Sequence, residues 1–393
     1  NLLSRIAPHI PDDRDQAKVE HSSLELLKQR VFGLALGYED LNDHDSLCQD
    51  QLFQTAIEKD KRTASSATLC RFENRAERGI AIKAHEAMFQ VFVESFEEAP
   101  EELIFDFDAT DDEIHGNQIG RHFHGYYGHY CFLPLHVYCG SHLLVSYLRT
   151  STGDGAKHAL AIFSILVKNI RKIWPEVKII FRGDSGFCRH KLHKWCEKNN
   201  IFYITGLPSN KVLKRRSYKN YKKSAKKYIL SGESQQTFSS FRYGAKTWKK
   251  KRKVVVKAEY HMHGSNLRFV VTNLEGDAED LYKNKYCARG NMENGIKMVK
   301  TQLFADRTSC HEWYANQFRL VLSSLAYVLM DAIRRIALPT TKIDKAEINT
   351  LRLKLLKIGA IVIRNTRRVK VMVSSAYPNK NLFLRVVEVF APT

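Results

Sequence analysis

The stretch that most constrains this chain runs over residues 103–204, where short apolar runs alternate with amphipathic ones. Leu103-Ile104-Phe105-Asp106-Phe107-Asp108 alternates with a period of two, which puts Leu103, Phe105 and Phe107 on one face of a strand and Asp106 and Asp108 on the other. Residues 130–138 and 143–148, joined by Cys139-Gly140-Ser141-His142, read as a hairpin. An amphipathic helix over 156–173 is closed by Trp174-Pro175. The apolar run Val177-Lys178-Ile179-Ile180-Phe181 then leads into Arg182-Gly183-Asp184-Ser185-Gly186. A helix over 191–198 and a strand over 201–204 follow. The order β-β-β-α-β-α-β predicts a mixed α/β domain with an acid at two of its strand ends.

The flanks read differently. Residues 22–79 are helical and polar, with Leu24, Leu26, Leu27, Val31, Phe32 and Leu34 forming an apolar stripe, and Ser65 to Asn74 opening like a capped helix. That second helix is a candidate DNA reader, with a packing helix as the plainer reading. Between residues 207 and 275 cations interleave with Tyr218, Tyr221, Tyr228, Phe238, Phe241, Tyr243 and Trp248, followed by strand-like runs, so a mostly β insertion is expected there. Helices return over 280–304 and 312–336, before a basic β tail. The expected units are a helical DNA-binding region over 1–98, a core split between 99–206 and 278–340, a basic insertion over 207–277 and a tail over 341–393.

The charge agrees with a polyanionic partner. The chain carries a net +20, and the excess is local: residues 211–257 hold 17 Lys or Arg against the single acid Glu233. Such a stretch seeks phosphates, with strongly salt-dependent binding. With 44% hydrophobic residues, wholesale disorder is excluded. The eight cysteines show no zinc-finger spacing and read as reduced, mostly buried thiols. The uncharged stretch from His122 to Leu148 contains five His, a Pro and several Gly and Tyr, so a buried strand pair fits it better than a membrane span. No secretory leader is read, and the start at Asn1 without Met leads us to expect a segment upstream.

Three acids stand out by position: Asp108, Asp184 and Glu293, 76 and 109 positions apart. If the first and fourth strands lie side by side, Asp108 and Asp184 face one gap. Carboxylate oxygens there suit two Mg²⁺ or Mn²⁺ ions about 3.5 to 4 Å apart, the arrangement phosphodiester chemistry uses. On the helix over 280–304, Tyr286, Arg289, Glu293, Lys297 and Lys300 share one face at helical spacing. A carboxylate flanked by cations and a phenol can hold metal and also grip neighbouring phosphates.

The pattern Tyr-x-x-Arg-x-x-x-Glu-x-x-x-x-x-x-Lys, here Tyr286, Arg289, Glu293 and Lys300, resembles the signature of bacterial insertion-sequence transposases of the D-D-E class. Gly37-Tyr38-Glu39-Asp40, Phe107-Asp108-Ala109-Thr110-Asp111-Asp112, Phe181-Arg182-Gly183-Asp184-Ser185-Gly186-Phe187 and Ala305-Asp306-Arg307-Thr308-Ser309-Cys310 are similar to that group as well. The resemblance implies an RNase-H-like α/β core interrupted by a β insertion. It implies a catalytic and metal-binding triad of Asp108, Asp184 and Glu293, with Tyr286, Arg289 and Lys300 on DNA near the cut. Two Mg²⁺ or Mn²⁺ ions would serve hydrolysis and transesterification. The partners it implies are transposon terminal inverted repeats and target DNA, held by a homodimer on paired ends in the bacterial cytoplasm, at the nucleoid rather than a membrane.

Several residues compete for these roles. Asp106 shares a strand face with Asp108, and Asp111 and Asp112 follow closely; Asp108 is favoured by its Asp-Ala-Thr context. His115, His122, His124 and His129 lack a completing carboxylate or Cys and are not read as ligands. In the insertion, Lys249, Lys250, Lys251 and Arg252 are expected on the DNA backbone. Trp248 is read either as a stacking platform for a flipped base or as part of a small core. Two other functions stay open: a metal-dependent nuclease without strand transfer, and a catalytically idle DNA-binding remnant.

Overall fold

A computed structural model describes residues 1–391. The strands in chain order are β1 (Glu102–Ala109), β2 (Asp112–Glu113), β3 (His122–His124), β4 (His129–Phe132), β5 (Leu135–Cys139), β6 (His142–Tyr147), β7 (Lys178–Gly183), β8 (Phe202–Leu207), β9 (Gln235–Tyr243), β10 (Arg252–His261), β11 (Gly264–Thr272), β12 (Ala360–Arg364) and β13 (Val369–Val373). Eight of them form one sheet in the order β6-β5-β1-β7-β8-β11-β10-β9. Its first five positions are an antiparallel β6-β5-β1 meander joined to the parallel run β1-β7-β8, the latter connected through the helices Ala159–Ile173 and His190–Lys198. This is an RNase-H-like mixed sheet. Phe105, Phe107, Phe163, Phe181 and Phe187 fill one side of it, with the Phe107 and Phe181 rings stacked at 4.6 Å.

The insertion extends this sheet instead of folding as a sheet of its own. β11 pairs antiparallel with β8, from Phe269 opposite Leu207 to Thr272 opposite Ile204. Val254, Val256, Phe269 and Val271 join the phenylalanine side, while Val255 and Val270 join the opposite side with Ile180 and Ile204. Runs apolar on both faces have to be covered on both faces, which docking onto the core edge achieves. Ahead of these strands come two helices, Lys211–Arg216 and Tyr218–Ser231, in a region expected to be mostly β. Tyr218, Tyr221 and Tyr228 recur at helical spacing, and Tyr221 and Tyr228 pack on Tyr260 of β10 at 5.9 and 5.2 Å.

A second core lies among the helices. The helix Ser23–Leu36 starts with a capping box, Ser22 with Glu25, and ends at Gly37, whose φ of 90° suits glycine. With Ser66–Asn74 and Arg78–Glu94 it packs on the long helix Trp313–Ala332, so residues of both chain ends share one interior. The Ser66–Asn74 helix buries Leu69, Phe72 and Glu73, and Glu73 is ion-paired with buried Arg30 at 2.6 Å. Arg352, near the other end of the chain, donates to the Leu34, Ala35 and Gln302 carbonyls. Among the described residues no helix is long and apolar enough to cross a membrane. All eight cysteines are free; Cys48, Cys131, Cys139 and Cys196 are buried, whereas Cys70 and Cys287 are exposed.

Candidate active site at the ends of β1 and β7

Parallel pairing sets Phe107 opposite Gly183, so the next residues, Asp108 and Asp184, lie at the same end of adjacent strands. The Asp184 carboxylate accepts from the Gly186 N–H at 2.8 Å, which fixes the turn. The Asp108 carboxylate accepts from the Ala109 N–H at 2.9 Å. Gly206 on β8 allows the close approach beside them: a Cβ there would lie 2.7 Å from the Ser185 nitrogen and 2.8 Å from the Tyr286 hydroxyl.

The third acid arrives on a helix that is not continuous. The expected helix over 280–304 instead comprises a wide π turn, Leu281–Tyr286, a tight turn, Cys287–Arg289, and the α-helix Gly290–Gln302. The Lys285 carbonyl is taken by the Arg182 guanidinium at 2.5 Å, and that capture interrupts the helical ladder where the turns change. Tyr286, Arg289, Glu293 and Lys300 still converge on the strand ends. Arg289 Nη1 lies 3.9 Å from Asp108, and its other amine is ion-paired with Glu293. Lys300 Nζ reaches the Asp111 carboxylate at 3.3 Å. Lys297 turns away to Glu347 at 2.9 Å, so it stands outside the group its spacing predicted.

Asp184, Glu293 and Arg289 all act electrostatically on Asp108. Burial pushes the Asp108 carboxyl up to about 6; Arg289 opposes this, while Asp184 and Glu293 add to it. Burial also raises the Tyr286 hydroxyl, with Arg289 opposing and Asp184 reinforcing. Burial disfavours the Arg289 charge, but Asp108, Glu293, Tyr286 and Asp184 outweigh that and raise its pKa. Yet among the described residues no three His, Cys, Asp or Glu side chains stand close enough to hold a metal ion. Arg289 bridges Asp108 and Glu293, and the Glu293 side chain, 52% exposed, points along it. Carboxylate oxygen is the donor type that a hard divalent cation takes.

The competing acids are used otherwise. Asp106 is buried and ion-paired with Arg182, whose Nη2 donates to it at 2.7 Å. Asp111 anchors Lys300 on one side and His129, at 3.0 Å, on the other. Asp112 is buried with one oxygen unpartnered, and burial pushes its carboxyl up to about 8. Sequence reasoning gives Arg182 and His129 no role at the site: Arg182 stands two residues from Asp184, whereas His129 lies 16 residues from the nearest acid in sequence.

In the insertion, Arg252 is 3% exposed and makes a two-pronged pair with Glu197 at 2.8 and 3.1 Å. A guanidinium so committed is not free for a DNA backbone, which corrects that expectation. Trp248 lies under the Arg252 guanidinium at 4.9 Å, with Tyr243 and His193 set edge-on to it. Its ring packs against these three side chains. Lys249, Lys250 and Lys251 are exposed, although Lys250 also reaches Glu197 at 3.2 Å. Two cavities, of about 490 and 1050 Å³, open elsewhere, and none of the three acids lines either.

An RNase-H-like sheet with carboxylates at the ends of adjacent strands and a third on a following helix defines the class of metal-dependent nucleic-acid-processing folds. Within that class the chain belongs to the DDE transposase family: the model for the transposase DDE domain, group 1, matches residues 1–393. No curated protein matches it in sequence. Among solved structures, the piggyBac transposase in a synaptic complex with hairpin DNA, determined by cryo-EM, is similar over 89% of this chain and 76% of that one. The two are 11% identical, with a TM-score of 0.48.

Proposed function

We propose that this protein is a DNA transposase of the insertion-sequence type, cutting phosphodiester bonds at the ends of its element and joining the freed 3′-OH to target DNA. The observation that supports the reading is that Asp108 and Asp184 stand at the same end of adjacent parallel strands, with Arg289 between Asp108 and Glu293. Asp108, Asp184 and Glu293 would hold Mg²⁺ or Mn²⁺, Glu293 exchanging Arg289 for the ion. When bound, the ions supply positive charge that activates the attacking oxygen and offsets charge on the leaving one.

The chain's own groups do the rest by position. Arg289, released from Glu293, presents a planar fork to a phosphate beside the reacting bond. Lys300, held by Asp111, adds a second fixed cation. Tyr286 borders the Asp184 turn through its hydroxyl. In the first reaction water attacks phosphorus and the 3′-oxygen leaves with a proton; in the second that 3′-OH attacks a target phosphodiester and another 3′-oxygen leaves. Neither needs a covalent enzyme intermediate, so orientation and charge account for the rate.

A wider surface would hold the DNA. Residues 211–231 carry nine Lys or Arg and no acid, and those cations face solvent. Lys219 with Lys223, Lys222 with Lys226 and Lys223 with Lys227 are like charges one turn apart, each weakening the helix in isolation. Phosphates relieve that repulsion. The test is incubation of the purified protein with its element's labelled ends, pre-cut and uncut, in Mg²⁺. Joined products support the transposase; cleavage without joining would support a nuclease; binding with neither would leave only a DNA-binding remnant.

A further inference from the structure

The hairpin β3–β4 is the most exposed aromatic feature near the acids. Its base is fixed: β4 pairs with β2, Cys131 and Phe132 are buried, and the Phe132 ring meets Trp313 edge-on at 5.2 Å. Its outer part is not covered. Tyr126 is 86% exposed, Phe123 58% and Tyr130 46%. Tyr126 meets Tyr127 at 84° and Phe123 meets Tyr130 at 75°, edge against face in each pair, so Tyr126 and Phe123 stay largely exposed.

The hairpin also borders the site. His129 is tied to Asp111, which holds Lys300 on its other side. No Asp or Glu occurs between Glu113 and Asp154, while Arg121 lies over the Tyr130 ring at 5.0 Å. Exposed rings and an adjacent cation suit a base on a phosphate chain. They suit an unpaired base in particular, since a base stacked within a duplex offers no free face.

We infer that the Phe123–Tyr130 hairpin is a stacking platform for unpaired nucleotide bases of the DNA end being cut, with Tyr126 and Phe123 as the contacting rings. This rests on the DNA-processing reading above and places the base contact there rather than at Trp248.

Stacking of this kind tolerates any sequence, so a short duplex of arbitrary sequence serves as probe, either blunt or with an unpaired overhang containing 2-aminopurine. Wild-type protein should bind the tailed duplex more tightly than the blunt one and quench the probe's fluorescence. The double variant Phe123→Ala/Tyr126→Ala should lose the quenching and about tenfold of the tailed-duplex affinity, with blunt-duplex affinity unchanged. Tyr126→Trp should keep the quenching, which separates loss of stacking from loss of fold. Equal affinity of the wild type for both duplexes, or quenching that survives in the double variant, overturns the platform and leaves the DNA reading standing. Failure of the wild type to bind either duplex overturns both.

Discussion

Asp106 and Asp108 lie two residues apart on one strand face, yet their surroundings assign them opposite roles. Asp106 is neutralised by Arg182, and removing that partner strands a buried charge. Arg182→Gln should therefore destabilise the fold by about 3 to 5 kcal/mol in chemical denaturation. Asp108 is met less closely, by Arg289 at 3.9 Å. Its folded carboxyl holds its proton more tightly than the ordinary value of 3.8, so its contribution favours folding below about pH 4 and is lost as pH rises through about 6. In chelator, Asp108→Asn should be more stable than the wild type by roughly 1 to 3 kcal/mol near pH 8, and the two should converge near pH 4. Thermal melts across that range check it; a constant gap would contradict it. The sequence shows both acids on the same face, and the Asp-Ala-Thr context favours Asp108. It does not show the guanidinium that separates them, because that comes from a strand 76 positions away.

At the scale of elements, the strands were legible and the helix carrying Glu293 was legible only in outline. Strand alternation is local, so β1, β7 and β8 fall close to where periodicity puts them. The break at Tyr286 is not local, because it depends on Arg182 reaching the Lys285 carbonyl. The insertion's edge-on docking escaped the reading for the same reason: an apolar run states that it is buried, not against which edge. The Tyr218–Ser231 helix was hidden by its lysines, which outweigh its tyrosine stripe in any reading by composition. Replacing Lys219, Lys222, Lys223 and Lys226 by Gln should relieve repulsion and leave the fold intact. It should also lower the slope of log affinity for duplex DNA against log salt by about 3 to 4. An unchanged slope would remove this helix from the DNA surface.

On the scale of the whole molecule, the helices of residues 1–94 and the helix Trp313–Ala332 form one interior, and Arg352 ties the two ends of the chain together. The runs Gly37-Tyr38-Glu39-Asp40 and Ala305 to Cys310, far apart in sequence, meet through Arg307, which pairs with Glu39 and lies 3.5 Å from Asp40. Truncating the chain before Arg352 should expose Gln302 and the Leu34 and Ala35 carbonyls, and so loosen the helix that carries Glu293. The central claim is that Asp108, Asp184 and Glu293 act as one site. Its most direct test is cleavage of the element's own end DNA in Mn²⁺ by Asp108→Asn, Asp184→Asn and Glu293→Gln, with DNA binding measured alongside. Each variant should bind as the wild type does and lose at least about a hundredfold in cleavage rate; any one of them cleaving at the wild-type rate would contradict the shared site.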